Sequence, residues 1–196
     1  MLNHTPEQIL KDVFGYDRFR PGQTDVVDAL LADQHTLTVM PTGSGKSLCF
    51  QIPALLKGGL TIVVSPLVAL MEDQVAALKL AGVAADTINS SRERGDNVTA
   101  WKRAADGETR LLYLAPERLM TGRMLEALSQ LPVKLIAIDE AHCLSRWGPS
   151  FRPDYEALIR LKELFPNVPI VALTATADKS TQEDIVTKLV GGQGQV

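Results

Sequence analysis

The stretch that most constrains this chain is Pro41-Thr42-Gly43-Ser44-Gly45-Lys46-Ser47. Before it, Leu37-Thr38-Val39-Met40 reads as a short buried strand. After it, Leu48-Cys49-Phe50-Gln51-Ile52 with Ala54-Leu55-Leu56 reads as a helix. A chain that leaves a strand, turns through two glycines and enters a helix aims several backbone N–H groups at one point. Glycine permits that turn, and the helix N-terminus adds a field that favours an anion. Lys46 adds a full positive charge for the β/γ-phosphates of a nucleotide, and Ser47 offers a hydroxyl to magnesium. Thr42, Gly43, Ser44, Gly45, Lys46 and Ser47 are therefore the candidate phosphate-binding residues. The strict pattern has a glycine five residues before Gly45, where Met40 stands. Gly-Lys-Ser alone also fits a solvated turn, so the reading requires an acidic partner motif.

Leu135-Ile136-Ala137-Ile138 supplies it. The run is apolar enough for a central strand, and Asp139 and Glu140 follow at its C-terminal end, where open α/β sheets bind ligands. Asp139 suits magnesium, directly or through water. Glu140 suits the orientation and deprotonation of a water attacking the γ-phosphate. Lys46, Asp139 and Glu140 are the candidate catalytic set, with Ser47 and Asp139 as the candidate metal ligands.

The remaining pattern frames these motifs. Thr5-Pro6-Glu7-Gln8 reads as a helix start with a capping box. Ile9, Leu10, Val13 and Phe14 continue it, and Val26, Val27, Leu30 and Leu31 mark a second buried face. Residues 60–66 form a continuous apolar run that meets Pro66, and residues 110–116 repeat that form. Helices are expected from Leu67 toward Gly82, from Val98 to Ala105 and from Met124 to Leu131. A weaker strand is expected over 84–89, a loop over 90–96 and a last strand over 168–176. Strands that alternate with helices imply an α/β fold with a parallel sheet. Residues 1–35 read as N-terminal helices, 36–190 as the nucleotide-binding unit, and 191–196, rich in glycine, as a flexible tail or truncated linker.

Composition sets bounds. At 196 residues, 45% hydrophobic and 22% charged, this is an ordinary globular chain of one sizeable domain. A net charge of −3 excludes a polycationic binder, so any contact with nucleic acid is local. Two distant cysteines, Cys49 and Cys143, make neither a zinc site nor a disulfide framework, which points to an intracellular compartment. No apolar run approaches the ~20 residues of a membrane span, and the N-terminus lacks the form of a signal peptide.

Asp139-Glu140-Ala141-His142 and Thr174-Ala175-Thr176 resemble the acidic box and the Ser/Thr-Ala-Thr motif of the superfamily that includes the DEAD and DEAH helicases. More specifically, the chain resembles the first RecA-like lobe of RecQ-family DNA helicases, a P-loop fold with helices on both faces of a mostly parallel sheet. The resemblance rests on residues 14–23, 40–53, 65–74, 115–119, 139–155 and 173–177. In that family Met-Pro-Thr-Gly-x-Gly-Lys-Ser is the usual loop, which accounts for Met40. It implies ATP with Mg²⁺, with Tyr16 and Arg20 flanking the adenine and Gln23 bonding its edge. A planar amide can meet the adenine amine and ring nitrogen together.

The resemblance also implies contact with single-stranded and partly duplex DNA. Residues 143–155 look like the family's aromatic-rich loop. Trp147 and Phe151 can stack on bases, Arg146 and Arg152 can meet phosphates, and His142 can pass the signal to the acidic box. The family more often has Gln-Trp-Gly-His-Asp-Phe where Arg146-Trp147-Gly148-Pro149-Ser150-Phe151 stands here, which bears on the coupling of DNA to ATP turnover. Ser65-Pro66-Leu67 and Ala115-Pro116-Glu117-Arg118 resemble loops that hold DNA phosphates. A second RecA-like lobe, bringing an arginine finger, is implied as a partner absent from these 196 residues, and no membrane partner is expected. A bacterial source would imply a cytoplasmic, nucleoid-associated protein, and a eukaryotic one a nuclear protein. Two other readings compete: a nucleotide-binding module with little turnover, and a small-molecule kinase. The Asp-Glu-Ala-His and Thr-Ala-Thr motifs argue against the kinase.

Overall fold

The computed structural model describes residues 4–119, 121–143 and 160–190. The capping box forms at Thr5 and Gln8 and opens α1 (Pro6–Asp12), and α2 (Gln23–Leu31) follows. Then β1 (Thr36–Val39) leads through the glycine loop into α3 (Leu48–Lys57). Both α1 and α2 lie against α3, joined by a buried cluster of Leu10, Val27 and Ile52.

The chain continues through β2 (Leu60–Val64), α4 (Val68–Leu80), β3 (Ala85–Ile88), α5 (Arg94–Ala105) and β4 (Leu111–Leu114). After these come α6 (Pro116–Leu119), α7 (Gly122–Ser129), β5 (Val133–Ile138), β6 (Ile170–Thr174) and α8 (Lys179–Val190). The six strands form one sheet in the order β1-β6-β5-β2-β4-β3, and every pairing is parallel. The expected α/β class therefore stands, with β5 central and β3 at an edge.

Period-two alternation divides the strand residues between two cores. Ile62, Val64, Leu112, Leu114, Ile136 and Ile138 face one way, against Ala100 and Ala104 of α5 and Leu125 and Leu128 of α7. Val63, Leu111, Tyr113, Leu135 and Ala137 face the other, against α2, α3 and α4. Helices thus cover both faces, as a sheet buried on both sides requires.

Two expectations are corrected. The helix expected from Val98 begins at Arg94, because its buried face is only Ala100 and Ala104 and its first turn is polar, leaving no apolar period to read. The segment 115–118, expected as a strand-end loop, runs into one helical turn over Pro116–Leu119, in which Arg118 N and Leu119 N both donate to Ala115 O. Among the described residues, no helix is long and apolar enough to cross a membrane.

Candidate nucleotide and nucleic-acid site

The glycine loop is held in the form its sequence implies. Gly43 and Gly45 both have positive φ, 79° and 82°. The N–H groups of Gly43, Gly45, Lys46 and Ser47 find no acceptor among the described residues, and the Ser44 hydroxyl is buried without a partner. Four unpaired N–H groups, one orphaned hydroxyl and a lysine at the start of α3 are what a polyphosphate would satisfy. The donor set therefore fits a nucleotide.

The segment preceding α2 grips this loop from outside. Gln23 is 2% exposed. Its Nε2 donates to Ser44 O and Gly45 O at 3.1 Å each, and its Oε1 accepts from Arg20 N at 2.8 Å. Arg20 Nη1 donates to Gly43 O. The structure thus brings Gln23 and Arg20 onto the phosphate loop, with the Gln23 amide already committed there. Tyr16 is 52% exposed and lines a cavity of about 360 Å³ together with Phe14, Gly45, Ser47, Gln51 and Gln74. A half-exposed aromatic ring beside an open cavity is available for stacking.

The acidic pair lies at the C-terminal end of β5, one strand removed from β1. Asp139 N donates to Val64 O at 2.8 Å and Ala141 N to Leu173 O at 2.9 Å, fixing the turn between β2 and β6. Asp139 is 6% exposed. Burial first, then the charge of Glu140, raises its pKa, opposed by the Glu140 N–H, the Lys46 charge and the Gln74 side chain. Glu140 has φ 52°, left-handed for a residue with a side chain, and its N–H turns back to Asp139 Oδ1 at 3.0 Å. Such a conformation costs about 1–3 kcal/mol and persists where surrounding structure imposes it.

His142 joins the two motifs. Its Nδ1 lies 3.3 Å from Glu140 Oε2 and 3.0 Å from Thr174 Oγ1. Thr174 Oγ1 also lies 3.0 Å from Thr176 O and accepts from Thr176 N at 3.3 Å. The acidic box and the Thr-Ala-Thr segment are therefore one hydrogen-bonded unit. Arg146, Trp147, Phe151 and Arg152, the remaining candidates for DNA contact, lie outside the described residues.

Three residues at the site carry no sequence signal for their role. Gln51 of α3 donates to the Tyr113 hydroxyl at 3.2 Å, and Tyr113 donates to Gln74 Oε1 of α4 at 2.9 Å. The Gln74 side chain in turn acts on Asp139, opposing the rise in its pKa. One buried hydroxyl on β4 thus ties the helix behind the phosphate loop to the candidate metal ligand. Tyr113 is 62 residues from Gln51 and 39 from Gln74, so no local pattern announces the contact.

A family model for DEAD/DEAH box helicases matches residues 20–185. The chain is 50% identical over 185 residues to the ATP-dependent DNA helicase RecQ of Haemophilus influenzae, covering 94% of this chain and 30% of that protein. It is 44% identical over 188 residues to the ATP-dependent DNA helicase RecQ of Bacillus subtilis, covering 95% and 32%. It therefore spans about 30% of the length of these curated relatives. Among solved structures, the DUF1998 helicase MrfA bound to DNA and AMPPNP superposes with a TM-score of 0.76 over 98% of this chain and 28% of that one. At 17% identity that likeness concerns the fold.

Proposed function

The chain belongs to the DEAD/DEAH box helicase family, and we propose that it is the ATP-binding and ATP-hydrolysing first lobe of a RecQ-type DNA helicase, working 3′ to 5′ against a second RecA-like lobe. The observation that carries this reading is the open phosphate cradle facing the Asp139–Glu140 pair across β6.

Lys46 and the loop N–H groups would hold the β- and γ-phosphates. Ser47 and Asp139 would hold Mg²⁺, which supplies charge neutralisation on the phosphates. Among the described residues, no cluster of three or more His, Cys, Asp or Glu side chains could hold a metal by itself. Glu140 would orient the attacking water and take its proton. The Glu140 N–H is given to Asp139 Oδ1, and the Lys46 charge favours the ionised form of Asp139, which suits Asp139 to the cation and leaves Glu140 for the water. Tyr16 and Arg20 would flank adenine. For Gln23 to bond the base edge, its amide must exchange the Ser44 and Gly45 carbonyls for the base.

DNA contact would involve Arg146, Trp147, Phe151 and Arg152, with His142 carrying the signal to Glu140 and Thr174. In the absence of an arginine from a facing lobe, turnover by this chain is expected about 10³–10⁵-fold below that of a complete site. Nucleotide binding is therefore the decisive assay. Titration with a fluorescent ATP analogue should show Mg²⁺-dependent binding, competed by ATP better than GTP and lost in Lys46→Ala. Wild-type affinity in that variant would refute the assigned loop. Turnover measured with and without single-stranded DNA then separates a coupled motor lobe from a plain nucleotide-binding module.

A further inference from the structure

The two edges of the sheet are built differently. At the β3 edge, Asp86 is 4% exposed, with Lys79 Nζ 3.4 Å and Arg103 Nη1 3.6 Å from its Oδ1. Those cations come from α4 and α5, on opposite faces of the sheet, so charge closes that edge against another strand. At the β1 edge, Thr36-Leu37-Thr38-Val39 carries no charge and no proline, and its register with β6 runs without a bulge. These residues favour strands, and β1 itself has none of the devices that blunt an edge.

The backbone of β1 is half used. Met40 N donates to Thr174 O at 3.0 Å. By the alternation of a strand, Thr36 and Thr38 also face β6, whereas Leu37 and Val39 turn their N–H and C=O groups outward. No strand adjoins them on that side among the described residues.

A groove of about 210 Å³ runs beside this edge, between β1 and Gly22, Asp25, Val26 and Ala29. That is below the ~300–1,000 Å³ of small-molecule sites, so the groove suits a side chain better than a free ligand. Thr38 lines it, and its hydroxyl is buried without a partner. Asp25 lines it too, and Asp28 follows one turn along α2. Both carboxylates are exposed and have no ion pair or side-chain hydrogen bond among the described residues. On the opposite face, Leu37 joins the core that includes Ile185 of α8, and Val39, which shares that face, is 38% exposed.

These features specify the occupant. Alternating unpaired N–H and C=O groups match another extended polypeptide. On the α2 face its side chains meet Val26 and Ala29 beside a carboxylate, which fits the methylene stem and ammonium of a lysine. On the α8 face they meet Val39, which fits a β-branched residue. A second copy of the chain does not fit, because antiparallel pairing of two β1 edges brings two acidic α2 helices onto the same face. We propose that the β1 edge is a docking site for an extended segment of a partner protein, in which lysine or arginine alternates with β-branched residues. The segment adds to the sheet as a further strand. The proposal goes beyond the helicase-lobe reading and does not depend on it.

The test is fluorescence anisotropy of a labelled octapeptide of alternating lysine and valine, titrated with the whole chain. A second peptide of the same sequence has every backbone nitrogen methylated. It keeps the charges but cannot donate to a ladder, so it should bind at least about tenfold more weakly. Val39→Pro should weaken the parent peptide about tenfold, because it removes an outward N–H and leaves the β6 ladder whole. Asp25→Lys with Asp28→Lys should weaken it at least about tenfold. These surface changes leave the fold intact, so the pair and the methylated peptide decide the matter even where Val39→Pro unfolds. An octapeptide of alternating glutamate and valine should not bind.

Equal affinity for the methylated peptide would mark attraction of charge alone and overturn the proposal. So would undiminished binding by the aspartate pair variant, or no binding of the lysine–valine peptide by the parent chain. Sedimentation equilibrium is run on the chain alone. A dimer that Val39→Pro abolishes would mean that a second copy takes the edge, and would overturn the proposal as well. ATP-analogue binding measured alongside keeps the two readings apart, since loss of either leaves the other standing.

Discussion

Removing one oxygen from the Tyr113 side chain tests the buried connection behind the site. The ring is 1% exposed on β4, and burial raises its phenol pKa well above the ordinary value, so the hydroxyl stays a neutral donor. Tyr113→Phe preserves the ring and its packing, so no cavity term arises. It deletes the bond to Gln74 Oε1 and leaves the Gln51 amide, 6% exposed, without its acceptor. A neutral hydrogen bond contributes about 1 kcal/mol net, and a buried polar group left unpaired costs about 1–3 kcal/mol. Half-buried Gln74 can turn to water, so the expected total is about 2 kcal/mol.

For a domain of this size that corresponds to a fall in Tm of about 4–8 °C. Urea unfolding should show the same loss in midpoint with an unchanged m-value. A second substitution supplies the control. Gln51→Met in the Tyr113→Phe background removes the stranded amide and should recover at least half of the loss, because deleting both partners avoids the desolvation penalty. The apparent Mg²⁺ affinity in the presence of ATP should also fall, by about tenfold, since Gln74, whose side chain favours the ionised form of Asp139, would lose its tie to Tyr113. A stability loss below about 0.5 kcal/mol, or no recovery in the double variant, would refute the reasoning.

Four shorter tests address the site. Glu140→Gln should keep nucleotide and Mg²⁺ binding while turnover in the two-lobed enzyme falls at least about 10²-fold; loss of binding instead would make Glu140 a structural or metal-holding residue. Because burial raises the Asp139 pKa, its ionised form destabilises the metal-free fold, and that penalty is present above the folded pKa and fades as pH falls toward the unfolded value. Asp139→Asn should therefore unfold at higher urea than the parent at pH 8 without metal, with the gap narrowing toward pH 4; a variant less stable at every pH refutes this. Gly45→Ala places a Cβ 2.5 Å from Gln23 Nε2 at φ 82°, whereas Gly43→Ala meets nothing within 4 Å at φ 79°; both carry roughly 1–2 kcal/mol of left-handed strain, so Gly45→Ala should lose more stability and more ATP affinity, and equal losses would argue against the Gln23 contact. Burial pushes the Cys49 thiol up to about 12, and Cys143 is partly exposed, so a thiol reagent at pH 8 should modify one cysteine in the native chain and two after unfolding.

The sequence by itself determined where the candidate phosphate loop and the acidic pair lie. Both are contiguous, and their groups converge through local geometry: two glycines that turn the backbone, a helix start, and a strand that ends at Asp139. The strands at 60–64, 111–114 and 133–138 were legible for the same reason, since an apolar run bounded by proline, glycine or acid needs no distant information. The start of α5 was not, because two buried alanines leave no period to read.

Only the tertiary structure decided which strands adjoin, and with that which side chains meet. The order β1-β6-β5-β2-β4-β3 places the acidic pair across β6 from the loop and stations β4 beside β2, so that one tyrosine reaches two glutamines on different helices. It also decided that the Gln23 amide lies on the loop carbonyls, and that β1 stands at an edge of the sheet beside α2. The physical reason is range. A backbone conformation follows from neighbours a few residues away, whereas a buried hydroxyl or amide takes its partner from whatever segment the closed sheet brings within 3 Å, however distant along the chain.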